Sequence, residues 1–310
     1  KAWAQTCKAI GLPRPKEATA AQVFNPAQGK GQNRSKADGA AMLNIKGFWL
    51  PEYLKAVGMY QAGLTRIVAN PRDPHNAKDR KTYVLAPREV TFGVHDRIMK
   101  EFRQAMIGSA TAVKLDVLAA LRYTRAFLKY AEETRTATNA ELLFGKRPGD
   151  LVAGLQMAFY KNLGNSAATM NIAVVGLPNW VHAGSPAEAG QFTAALDEHE
   201  QIVRSLDETR SEAHDLLALY RDFISGNDLR PFFAFTTAYS AFYMSQKERG
   251  QWCPSFTTTS LEVLLMNTDK PLSAIVQSEG FRNIAYAIRH STVIPQAQKA
   301  QGKSGLPVRY

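Results

Sequence analysis

Cysteine is nearly absent from this sequence: Cys7 and Cys253 are the only two among 310 residues. Two are too few for a disulfide framework or a cysteine-ligated zinc site, and their scarcity fits a reducing cytoplasm. No apolar run approaches the roughly 18 residues of a spanning helix, so no contact with a membrane is expected. The sequence has neither an initiator Met nor a signal-peptide pattern at Lys1, which reads as a start inside a longer natural chain. HExxH, paired CxxC and GxSxG are all missing, and with them any support for metalloprotease or hydrolase-fold chemistry. A nucleotide-binding P-loop lacks its elements too: Gly29-Lys30-Gly31 is followed by Gln32, and no strand pattern precedes it.

What is present is positive charge, unevenly placed. The formal net charge is +11, with 45% hydrophobic and 21% charged residues, the composition of a folded chain that suits a polyanionic partner. Residues 1–149 hold 25 Lys+Arg against 12 Asp+Glu, whereas residues 150–310 hold 13 against 15. The whole excess lies in the first half, as expected where one region faces a polyanion and the other packs or is solvated.

The expected fold is mainly α: an irregular α+β N-terminal region with a short β-hairpin, then a C-terminal helical bundle. Three regions are expected: 1–94, basic and irregular; 95–191, helical; and 192–310, the bundle. Residues 47–60 suggest a short helix starting at Pro51, and 66–80 a polar loop. "KTYVLAPREVTFGV" (81–94) carries the only convincing β signal, two short runs around Ala86-Pro87-Arg88-Glu89. Helix spacing follows from His95, with 149–163 as one more helix and "MNIAVVGLPNWV" as a helix end or short strand. From Phe192 to Ile224 apolar residues form one stripe, ended by Gly226. Asn227 or Asp228 caps the next helix, which tolerates Pro231 in its first turn and lies antiparallel to the last. Shorter helices are expected at 259–267, 271–279 and 281–290, and no repeat of fixed period is visible.

"NPAQGKGQNRSKADG" (25–39) sets Lys30, Arg34 and Lys36 among glycines, with Gln32 and Asn33 able to donate to a phosphate or a base edge. A solvated loop is the plain alternative. A second basic stretch, with Arg66, Arg72, His75, Lys78, Arg80, Lys81 and Arg88, makes a backbone clamp the better reading. Near the end, Arg282, Arg289 and His290 fall on one side of "FRNIAYAIRHS", suited to a phosphate backbone or to solvent.

His95-Asp96 and His214-Asp215 spell the dipeptide of metal phosphohydrolases, but that chemistry needs further histidines and an aspartate gathered in space. A helix start suits the first pair and a solvated helix face the second. Cys253 has no base beside it in sequence and reads as packed. Phe232, Phe233, Phe235, Tyr239, Phe242 and Tyr243 could stack bases, but their helical spacing puts them in the bundle core first.

The quoted 25–39 stretch, "GFWLPEYLKAVG", "YVLAPREV", "GLPNWV", "FISGNDLRPFFAF" and "FRNIAYAIRHSTV", in that order across residues 25–294, resemble the large subunit of type I CRISPR interference complexes (Cascade), in a subtype A/B-like variant. The resemblance implies a non-catalytic, prokaryotic cytoplasmic subunit without cofactors. Such a subunit recognises the protospacer-adjacent motif in duplex DNA, helps to open the strands and stabilises the R-loop. Its implied partners are the CRISPR RNA guide, target double-stranded DNA, the backbone, guide-capping and small subunits, and a recruited helicase-nuclease. It carries a DNA role onto Lys30, Asn33, Arg34 and Lys36, and less directly onto the 66–88 cations. The chain departs from the family pattern at both ends. An HD-type metal-dependent nuclease using His95 and Asp96, and a purely structural helical scaffold, are the alternatives.

Overall fold

Between residues 63 and 175 the described chain supplies four paired strands as well as two of the long helices. The computed structural model describes residues 2–12, 18–19, 46–47, 54, 57–58, 61–73, 75, 78–133, 145–164, 167–226, 228–266, 270–296 and 298–299. Lys30, Gln32, Asn33, Arg34 and Lys36 lie outside the described residues, as does most of the helix expected from Pro51.

After α1 (Ala2–Ala9) and a two-residue ladder of Ala18–Thr19 with Lys46–Gly47, four strands form one antiparallel sheet. They are β1 (Gly63–Ile67), β2 (Arg80–Pro87), β3 (Val152–Asn162) and β4 (Ala167–Val175), hydrogen-bonded in that order. Register sets Leu64 opposite Tyr83, Tyr83 opposite Met157 and Met157 opposite Ala173. Alternation then turns Tyr83, Leu85, Leu155 and Met157 into the core.

This sheet corrects three expectations. Residues 149–163 are not a helix: after one helical turn at Pro148–Leu151 they form β3, paired on both sides. "LQMAF" holds good helix formers, and cross-strand pairing overrides that local preference. The 81–94 segment is not a self-contained hairpin, because β2 pairs with β1 and β3, and Phe92 already begins a helix. Consequently the 95–191 region is not wholly helical, and it supplies half of the strands.

The helices are α2 (Phe92–Ala105), α3 (Ala112–Glu133), α4 (Pro186–Ser205), α5 (Ser211–Ser225), α6 (Arg230–Glu248), α7 (Thr258–Met266), α8 (Lys270–Gln277) and α9 (Glu279–Ile288). Together they make the fold mainly α. A π-helical turn, Arg289–Val293, follows α9. The single stripe from Phe192 to Ile224 is two helices: the chain breaks at Leu206–Arg210, where the Asp207 carboxylate accepts the Thr209 N–H and hydroxyl. The α5–α6 junction follows expectation at Gly226 and Pro231, but the N-cap of α6 is Leu229 rather than Asn227 or Asp228, one residue later than the expected cap. Gly226 is the C-cap of α5, the Asp228 carboxylate accepts the Arg230 N–H at 2.9 Å, and Pro231 sits in the first turn. Phe232, Phe235, Tyr239 and Phe242 are buried, while Phe233 is exposed and Tyr243 packs at the core's margin.

Helix α3 lies at the centre, against α2, α4 and α5. Fourteen of its residues are buried, on every face, as in a helix enclosed by its neighbours. Its charged side chains are largely committed to partners. Arg122 donates to Glu200 at 2.6 Å, Arg125 pairs with Asp197 and Glu200, and Lys129 meets Glu101 at 2.6 Å. At its first turn the Val113 and Lys114 N–H groups donate to Glu208 at 3.0 and 2.9 Å, a cap supplied by a distant turn.

The most consequential contact joins α3 to β2. Lys81 is 4% exposed and Asp116 1%, and the ammonium donates to both carboxylate oxygens at 2.7 Å and to the Ala112 carbonyl at 2.8 Å. The Tyr83 hydroxyl donates to the same carboxylate at 2.7 Å, and burial, then the Asp116 charge, hold its pKa well above the usual tyrosine range. Asp116→Ala would strand the ammonium in the core, and a loss of about 3–5 kcal/mol in urea unfolding is expected.

His199, fully buried, bonds Tyr220 through Nδ1 and stacks near Trp180, Phe232 and Phe256. Burial lowers its pKa from 6.5 to about 3. The unfolded chain takes up this proton below 6.5 and the folded chain only near 3, so the contribution is complete above 6.5 and drains as pH falls toward 3. Unfolding free energy measured from about pH 7 down to about pH 4 should fall steeply in the native chain and less steeply in His199→Phe.

Candidate nucleic-acid interface

The 68–79 connection between β1 and β2 does not stand off as a free loop. Val68 N–H donates to Asp79 O and Ala69 N–H to Ala110 O, both at 2.9 Å, which folds the connection back on the residues before α3. Between them lies a cleft of about 550 Å³. Its walls are the connection, the start of α3 at Thr111 and Ala112, the end of β3 and the Glu208–Thr209 turn.

Lys78 and Lys161 line this cleft, and Arg72 and His75 sit exposed on the same connection. Neither lysine pairs with a carboxylate among the described residues. The two carboxylates in the walls each accept main-chain N–H groups. Asp79 accepts the Asn162 N–H at 2.8 Å, and Glu208 caps α3. The ammonium groups are thus left for a guest, and Thr111 adds a hydroxyl with no partner among the described residues. Such a donor set holds phosphate oxygens. Phe159 supplies a half-buried ring beside them, with the Lys81 ammonium 5.6 Å from its centroid.

The expected cations divide. Lys78, Arg72 and His75 come together, and Arg80 is exposed at the neighbouring end of β2. Lys81 does not join them: it is the buried partner of Asp116, and expecting it at a DNA surface is corrected by the strand alternation that turns it inward with Tyr83 and Leu85. Arg66 is half buried, donates to the Arg103 carbonyl at 2.9 Å, and has its pKa lowered by desolvation. Arg88, at the far end of β2, stands roughly 25 Å from Arg80 by strand rise. It bonds the Gly149 carbonyl at 3.1 Å. Arg282 is held by Glu262 at 2.6 Å, and Arg289 is exposed in the π-helical turn.

Lys161, Asn162 and Thr111 had no part in the sequence-level site. Reading 149–163 as a helix hid Lys161, whereas a strand ending in "YKN" before a Gly164 turn would have aimed attention at it.

The histidine pairs do not gather ligands. Asp96 meets Lys100 at 3.0 Å, His214 and Asp215 are exposed 3.6 Å apart, and no trio of His, Cys, Asp or Glu suited to a metal occurs among the described residues. Cys7 is buried, and so is Cys253, whose thiol pKa is raised, chiefly by burial.

Replacing Lys78 and Lys161 together by Ala should leave the unfolding midpoint unchanged, because both are exposed. In a salt titration of DNA affinity the double variant should lose affinity and lower the log–log slope by about 2, one unit for each lost phosphate contact. An unchanged slope would remove this cleft from the interface.

No protein-family model, no curated protein and no solved structure matches this chain.

Proposed function

We propose that this chain is the non-catalytic, DNA-contacting large subunit of a type I CRISPR interference complex. The observation that carries the reading is the cleft between the 68–79 connection and α3, where Lys78 and Lys161 have no carboxylate partner. Its cations come from the half of the chain that holds the whole excess of positive charge, or from just beyond it. The ordered motifs across residues 25–294 supply the family. Guide pairing would read the target, and the protein needs only backbone attraction and a short groove contact beside it.

On this reading the cleft holds the phosphates of the duplex flanking the target, and Lys30 and Arg34 add to the affinity for DNA. The helical half serves assembly: α9 and the π-helical turn are exposed along their length, with Phe281, Ile284 and Ile288 uncovered, a surface for neighbouring subunits or the recruited helicase-nuclease.

The test is duplex affinity of the complex purified with this chain, on targets that differ only in the flanking few base pairs. Flank-dependent affinity that weakens steeply with salt is expected, and Lys30→Ala with Arg34→Ala should weaken binding while sparing assembly. Affinity indifferent to the flank and to both substitutions would leave the chain a scaffold.

A further inference from the structure

We infer that a second cleft, at the opposite end of the sheet, binds one nucleotide through its phosphate. It encloses about 410 Å³ where Arg88, the Arg147–Asp150 turn, the residues following β4 and the α5–α6 junction meet. That volume suits a small-molecule site. Its base is main chain packed on main chain: a Cβ on Gly176 would lie 2.7 Å from the Ser225 Cα, and the Gly176 N–H donates to Ser225 Oγ at 3.4 Å. On another wall, a Cβ on Gly149 would come 3.0 Å from Asn179 Oδ1. Glycine at position 176 is what permits the main-chain approach at the base.

Donors gather in this cleft. Arg88 Nη1 is anchored on the Gly149 carbonyl at 3.1 Å, which fixes the guanidinium and leaves its other N–H groups for a guest. Arg147 pairs with no carboxylate among the described residues, since the nearby Lys146 takes Glu89 at 3.0 Å and Asp150 accepts the Arg147 main-chain N–H at 2.8 Å. Trp180 lines the cleft, is 3% exposed, and its buried Nε1–H has no acceptor among the described residues. A buried N–H without a partner is rare in folded proteins, and a ligand oxygen would satisfy it.

Acceptors lie in the same cleft. Asp150 keeps Oδ1 available beyond its main-chain bond, whereas Asp228, which also lines the cleft, gives both oxygens to Arg230, one to its main-chain N–H and one to its guanidinium. A bare oxyanion would use the guanidinium groups alone and would be repelled by these carboxylates. A nucleotide uses both sets, with phosphate oxygens on the guanidiniums of Arg88 and Arg147 and a ribose or base O–H or N–H on the free oxygen of Asp150. Neither Lys78 nor Lys161 lines this cleft, so the inference is independent of the interface proposed above.

The full chain is titrated in a calorimeter with AMP, with adenosine and with a phosphorylated tetranucleotide, using native protein, Arg147→Ala and Trp180→Phe. Saturable AMP binding is expected, with adenosine at least about tenfold weaker, Arg147→Ala weakened about tenfold or more, and Trp180→Phe weakened several-fold. Arg147 is exposed, so its variant keeps the native unfolding midpoint and remains informative if Trp180→Phe fails to fold. Saturation by the tetranucleotide alone, with the same loss in Arg147→Ala, also supports the site and assigns its guest to a strand rather than to a free nucleotide. No saturable binding of AMP or tetranucleotide, adenosine binding as tightly as AMP, or affinity untouched by Arg147→Ala overturns the inference.

Discussion

The Lys81–Asp116 contact is the constraint on which sheet and helices jointly depend, because neither charge has access to water. A buried pair offsets its desolvation only when further hydrogen bonds occupy the remaining donors and acceptors. Here Tyr83 and the Ala112 carbonyl do so, and each comes from an element that the pair joins. One charge belongs to the second residue of β2 and the other to the first turns of α3, so the contact fixes the end of the strand against the start of the helix. Thr111 and Ala112, which wall the basic cleft, are held in place by the same contact.

The uneven charge of the sequence is partly cancelled within the fold. Asp197, Glu200 and Glu208 come from the acidic stretch of the second half and neutralise Arg122, Arg125 and the first turn of α3, all in the basic half. Carboxylates are consumed on the helical side of α3, whereas Lys78 and Lys161 at the 68–79 connection and the end of β3 pair with none among the described residues.

How much of this was legible depended on which interactions were local. The α5–α6 junction was readable because Gly226, Asp228 and Pro231 act within a few residues of one another, and α7 to α9 began within two residues of expectation. Strand β3 was not readable in the same way, and β4 only as one of two alternatives for "MNIAVVGLPNWV". Their residues are compatible with a helix, and the partners that make them strands lie about 75 residues upstream for β3 and across the Gly164 turn for β4. The site suffered accordingly: Lys161 was hidden inside a supposed helix. Lys78 and Lys81, three residues apart, looked alike although one faces the cleft and the other the core. The sequence does hold a signal for the difference. Lys81 shares the parity of Tyr83 and Leu85, and in a half-buried strand that parity points inward.

Strand β4 is the last of the sheet, and among the described residues nothing pairs with its outer edge. Met170, Ile172 and Val174 are exposed along it, with Ile172 at 75%. Natural sheets blunt such edges with charge, proline or a bulge. This one has a register irregularity near Thr169 but no charged side chain from Ala167 to Val175. An open, apolar hydrogen-bonding edge recruits any extended chain that meets it, including another copy of itself. Such an edge makes self-pairing of the isolated chain grow with its concentration unless another chain or segment occupies it first.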